Sequence, residues 1–230
     1  MKTILLCIII PVFFISCSAE PDAQTSVNLP NADAGAAAQT GGPANPANPY
    51  DKNGAKVYSV LNEYYKNSLA PNSVSELAGQ IRFVAENFYN NRNTTGRLIP
   101  LSDEMVQSIM EDPDNSMISI VQNSVLQSQV KTGLIAFLQG LILKRQQEFD
   151  ITYSYIVQYE SDVLADVVFS NEEKETILTI CSISRYSLYS EEERKDKDWD
   201  ILIGNKRAKR FFSAGEAPLI SVIALLEGCF

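Results

Sequence analysis

Few residues in this chain have the type and spacing to do chemistry. Histidine is absent from all 230 positions, so a Ser-His-Asp triad, a Cys-His pair and a His-containing metal centre are all excluded. No Gly-x-Ser-x-Gly, phosphate-cradling glycine loop or dinucleotide fingerprint occurs. Carboxylates remain. Asp162 and Asp166 stand four apart, which puts both on one helix face near Glu172 and Glu173. That spacing suits acid–base or metal work by a histidine-independent enzyme, and it is also ordinary on a solvated helix surface. Asp112-Pro113-Asp114-Asn115-Ser116 spaces oxygens as a calcium loop does, but Met117 stands where the turn glycine belongs and Asn123 where the bidentate glutamate belongs. A helix break followed by an N-cap is the better reading. No metal and no cofactor is expected.

Two further groups are binding candidates. Lys206, Arg207, Lys209 and Arg210 form a compact cation cluster followed by Phe211 and Phe212, suited to anionic headgroups or an acidic partner surface. A solvated loop with both phenylalanines in the core explains it equally simply and is preferred, since the chain carries a net charge of −9. The acid excess disfavours nucleic acid, whose binding rests on neutralising phosphate. Tyr153, Tyr155, Tyr159, Tyr186 and Tyr189 could line a peptide or carbohydrate groove, although at helical spacing such residues commonly border a core.

The elements that must position these residues read as helices. Ser-x-x-Glu capping boxes occur at Ser73, Ser170, Ser190 and Ser213. A helix is expected over 51–68 with Val57, Val60, Leu61 and Tyr64 on one face. Another is expected over 74–89 with Leu77, Ile81, Val84 and Phe88. Asn90-Asn91-Arg92-Asn93 opens a loop, and Ser102 caps a short helix that must yield near Pro113. The longest periodic segment then runs from Met117 through Val121, Val125 and Leu134 to Leu141. Its run 134–143 predicts a central helix buried on most sides. Residues 151–159 alternate as a strand would, but Phe149, Tyr153, Ile156 and Val163 extend a helical period further, so helix is chosen. An apolar last helix over 216–228, with Pro218 in its first turn, should dock into the core. The expected fold is all-α: a bundle-like domain of six to eight helices over 51–230.

The N-terminus carries an address. Lys2 precedes a 12-residue apolar run, Ile4 to Ile15, too short for the ~20 residues a membrane span requires. The run closes on Phe14-Ile15-Ser16-Cys17, which resembles the lipobox of bacterial lipoproteins. By that resemblance residues 1–16 are a signal peptide, and Cys17 is alkylated by diacylglycerol and becomes the new N-terminus. Two or three acyl chains there would make attachment effectively permanent. Ser18 in place of aspartate implies, by the same resemblance, the outer membrane of the cell envelope. Residues 17–50 hold nine alanines, five prolines and no Lys or Arg. They read as a lipid-anchored linker spanning on the order of 30 Å. With Cys7 and Cys17 removed from the thiol count, Cys181 and Cys229 remain, either as a bridge pinning the last helix or as two buried thiols.

The functional expectation is a membrane-anchored binding or structural component of the envelope with a protein partner. An inhibitor or immunity-type protein that captures a toxin or hydrolase is the alternative. An enzyme working through carboxylates stands third.

Overall fold

The computed structural model describes residues 42–89, 101–201 and 211–230, with the backbone alone for 196–201. Eight helices appear among them: α1 Asp51–Asn67, α2 Val74–Tyr89, α3 Asp103–Glu111, α4 Pro113–Asn123, α5 Ser128–Lys144, α6 Phe149–Ala165, α7 Asn171–Ile201 and α8 Glu216–Leu226. No strand occurs among the described residues, and the fold is all-α. The alternation over 151–159 resolves as helix α6. None of the described helices is long and apolar enough to cross a membrane. The loop at 90–96 lies outside the described residues.

Local chemistry sets the helix ends. Ser73 Oγ accepts from Glu76 N at 3.2 Å, and Glu76 reaches back to Asn72 N at 2.6 Å. At α7 the box is reciprocal, Glu173 N to Ser170 Oγ at 3.2 Å and Ser170 N to Glu173 Oε2 at 3.0 Å. Before α8 Glu216 accepts from Ser213 N at 2.6 Å. Ser102 caps α3 through Met105 N. The Asp112 side chain accepts from Asn115 N at 3.1 Å and opens α4, with Pro113 in the first turn. The fourth box fails: Ser190 and Glu193 lie inside α7, which continues through the charged block without a break.

Two expectations about the centre need correction. The periodic segment 117–143 is two helices, parted at 124–127. Ser124 Oγ turns back onto Val121 O at 2.7 Å, and Gln127 N is drawn to Glu173 Oε1 at 3.2 Å. The central helix is α7 rather than α5. All residues 177–187 of α7 are buried, whereas Leu143 of α5 is 80% exposed. With 31 residues, α7 spans about 46 Å. It packs against α1, α6 and α8. Small hydroxyl side chains at Ser182 and Ser184 let those neighbours close in. Gly54 of α1 sits so near that a Cβ there would meet Ser182 and Tyr186.

The apolar core follows the expected stripes in part: Val125 is 88% exposed, and Val60 and Tyr64 are half-buried. Val57 and Leu61 of α1, and Leu77, Ile81, Val84 and Phe88 of α2, are buried, and α8 contributes Leu219, Ile220, Val222, Ile223 and Leu226. Each such side chain contributes roughly 1.5–3 kcal/mol on leaving water. Gly215, at φ 73, starts α8 against the Arg145 carbonyl, where a side chain would collide.

Candidate functional site

The most concentrated polar chemistry in the described residues lies where the linker meets the body. Residues 43–50, expected to belong to the free linker, pack onto α6 and α7, with Asn45 and Asn48 buried. The linker boundary at residue 50 is therefore too late. The reason is turn chemistry. In Asn45-Pro46-Ala47-Asn48 the Asn48 N–H donates to Asn45 O at 3.0 Å, and in Asn48-Pro49-Tyr50-Asp51 the Asp51 N–H donates to Asn48 O at 3.1 Å. Each turn has asparagine first and proline second, the favoured order. Each asparagine Oδ1 also accepts from the backbone two residues on, Ala47 N at 3.1 Å and Tyr50 N at 2.8 Å. Two tandem turns thus lead directly into α1.

These turns present both side-chain amides to one carboxylate. Asn45 Nδ2 donates to Glu160 Oε2 at 2.7 Å, and Asn48 Nδ2 donates to Glu160 Oε1 at 2.6 Å and to Leu178 O at 2.9 Å. Glu160, on α6, has no exposed surface, and neither does Arg185 on α7. Arg185 Nη2 donates to Glu160 Oε1 at 3.0 Å and to Asp51 Oδ1 at 2.6 Å, and Nε to Glu160 Oε1 at 3.2 Å. Nη1 donates to Pro43 O. Asp51 also accepts from Asn45 N at 3.2 Å and from the Tyr186 hydroxyl at 2.9 Å. Tyr153 donates to Ala44 O at 2.8 Å, and the guanidinium faces the Tyr153 and Tyr186 rings at 6.0 and 5.7 Å.

The electrostatics favour a charged cluster. Burial acts to lower the Arg185 pKa, but Glu160 and Asp51 outweigh it and raise the value, so the guanidinium stays protonated. Burial and the bond to Asp51 push the Tyr186 phenol up to about 12. Burial, then the Glu160 charge, hold the Cys181 thiol well above its usual range and therefore neutral. Every nitrogen of the guanidinium and both oxygens of Glu160 are engaged. The arrangement holds a chain segment.

The structure separates most of the residues picked out from sequence. Asp162 and Asp166 do not converge: Asp162 accepts from Gln158 on the exposed face of α6, while Asp166 caps Val168 N at 2.6 Å. No cluster of metal-ligating side chains occurs among the described residues. Cys181 and Cys229 are not bridged. Cys181 is buried on α7 within electrostatic reach of Glu160, Tyr155 and Tyr159, whereas Cys229 sits 3.7 Å from the Tyr89 hydroxyl beside α8. Tyr155 and Tyr159 stack on Phe137 of α5, at centroid distances of 5.6 and 4.3 Å, and so belong to the core border. Tyr189 meets Tyr58 and Phe149. Phe212 is buried, but Phe211 is 52% exposed. Cys17, Lys206, Arg207, Lys209 and Arg210 lie outside the described residues.

Two shallow recesses beside α8, lined mainly by apolar side chains including Ile183, Val222 and Leu225, enclose about 0 and 10 Å³. Both fall below the roughly 300 Å³ at which small-molecule pockets begin. Fold and site together define a class: an all-α domain whose N-terminal segment is held by a buried ion-pair cluster. No protein-family model matches the chain, and neither a curated protein nor a solved structure matches it.

Proposed function

We propose that this protein is a lipid-anchored binding component of the bacterial cell envelope, attached through acyl chains on Cys17 and presenting its helical body to a protein partner. The leader and Phe14-Ile15-Ser16-Cys17 support the anchor. The observation that carries the binding role is the cluster at Arg185, Glu160 and Asp51, which fastens residues 43–50 with charge-assisted bonds on a buried floor. A tether that ends on such a cluster passes load from the membrane into the central helix of the body. The outer membrane is the proposed site, from Ser18.

Labelled fatty acid tests the anchor: it is incorporated into the wild-type chain and lost in Cys17→Ala, and label retained in that variant would sink the assignment. Crosslinking in the native membrane tests the partner. A discrete crosslinked species is expected through the body, and its absence at all crosslinker lengths counts against the binding role.

A further inference from the structure

We propose that the groove between α6 and α7, floored by Glu160 and Arg185, is a peptide-binding site for tandem Asn-Pro turns, and that residues 43–49 occupy it in cis. The step from groove to partner rests on the binding role above; the groove itself does not depend on the anchor.

The segment behaves as a ligand would. Its first turn is made within residues 43–49, by the Asn48 N to Asn45 O bond and the Ala47 N to Asn45 Oδ1 bond, while the second turn draws on the Tyr50 and Asp51 amides. Its contacts with the groove use side-chain amides, backbone carbonyls and the Asn45 N–H, all of which a separate peptide also carries. The first turn of such a peptide would arrive preorganised, which reduces its entropy loss on docking.

The groove walls have supports of their own. Glu160 and Arg185 stand on different helices, α6 and α7, which share buried Ile156, Val163, Leu178 and Cys181. Asp51 is held by Tyr186, and α1 is stitched to α7 by Gly54 N to Ser182 Oγ at 2.8 Å and Asn53 Nδ2 to Thr179 Oγ1 at 2.8 Å. Vacating the segment leaves these contacts in place.

The chemistry selects its ligand. One carboxylate takes two amides three residues apart, one on each oxygen, and Leu178 O takes a further amide hydrogen. Aspartate at either position would set carboxylate against carboxylate. A segment that needed only to be fastened would hold as well on apolar contacts, because a buried ion pair adds little net stability over well-packed hydrophobic residues. What the cluster adds is discrimination for the amide. The partner is therefore a protein segment of the form Asn-Pro-x-Asn-Pro, and it competes with residues 43–49.

The test uses the full chain in detergent and a fluorescent heptapeptide, Pro-Ala-Asn-Pro-Ala-Asn-Pro. In the Asn45→Ala/Asn48→Ala variant the internal competitor is weakened. Since a short tether supplies an effective concentration in the millimolar range, the variant should bind the peptide at least about tenfold tighter than wild type. Replacing either asparagine of the peptide by alanine should cost at least about tenfold in affinity. A folded variant that binds neither peptide, or binds them equally, overturns the proposal. If the variant lacks helical circular dichroism, wild-type hydrogen exchange decides: millimolar peptide should speed exchange at the Ala47 and Tyr50 amides, and unchanged exchange overturns the proposal. Either result leaves the fatty-acid labelling outcome untouched.

Discussion

Arg185 Nη2 lies 3.0 Å from Glu160 Oε1, and neither side chain has any surface exposed to solvent. A pair so placed has given up its hydration, and only the surrounding bonds from Asn45, Asn48 and Asp51 make the geometry sustainable. Removing one partner leaves the other charge buried. Arg185→Met and Glu160→Met should each lower unfolding free energy by about 3–5 kcal/mol in urea titrations. The double variant should recover part of that, with a coupling of at least about 1 kcal/mol. Additive losses would mean that the two residues do not act as a pair.

The two asparagines should differ. Asn48 bonds to Glu160 and to Leu178 O, whereas the Asn45 amide reaches Glu160 alone. Asn48→Ala should cost about 1–3 kcal/mol and Asn45→Ala less. Asn48→Asp should cost more than Asn48→Ala at neutral pH, because the new carboxylate faces Glu160. Thermal denaturation of the three variants gives the order directly.

Where a helix buries a simple stripe, residue spacing alone locates its core face. In α2, Leu77, Ile81, Val84 and Phe88 all enter the core as spaced. The centre of the fold is not legible in this way, because hydrophobic content marks burial poorly where small hydroxyl side chains line a buried helix. Residues 177–187 include Thr179, Ser182, Ser184, Arg185 and Ser187, all buried, and their polar character hid the central helix from a search for apolar runs. The packing of residues 43–50 onto Glu160 and Arg185 was hidden for a related reason. Asn-Pro at Asn45 and again at Asn48 is a recognised turn signal, but linker composition around it outweighed the repeat. That Glu160 would accept from its amides and Arg185 donate to its Pro43 carbonyl depends on packing between residues 25 positions apart, which local pattern does not encode.

Gly54 marks the closest approach of α1 to α7. A Cβ there would meet the Ser182 hydroxyl, the Ser182 carbonyl and the Tyr186 ring, and backbone cannot step aside as a side chain can. Gly54→Ala should therefore destabilise by about 1–3 kcal/mol, despite alanine's better helix propensity. Gly79→Ala, with open space around it, should be neutral or stabilising by comparison. If both changes behave alike in urea, α1 is not held at this distance.

The two cysteines of the body should react differently. Cys181 is fully buried, and its thiol is held neutral by burial and by Glu160, while Cys229 is half-buried near the chain end. Under native conditions an alkylating reagent should label Cys229 and leave Cys181 unmodified until denaturant is added. Peptide mass mapping reads this out, and native labelling of Cys181 would contradict its burial on α7.

Alkali should unfold the protein through its phenols. Burial is the first cause that raises the tyrosine pKa at Tyr58, Tyr65, Tyr153, Tyr155, Tyr159, Tyr186 and Tyr189. At Tyr186 the value moves from 10.0 to about 12, with the bond to Asp51 as the second cause. A raised phenol keeps its proton in the folded chain at a pH where the unfolded chain has lost it. Its stabilising contribution is therefore complete below pH 10 and falls as pH rises from 10.0 toward about 12. Urea midpoints should drop across that interval, and tyrosinate absorbance in the folded protein should lag behind that of the unfolded chain. Tyr186→Phe removes one titrating group together with a bond to Asp51, so it should begin less stable by about 1 kcal/mol and then lose stability less steeply with pH. A slope equal to wild type would remove Tyr186 from the linkage.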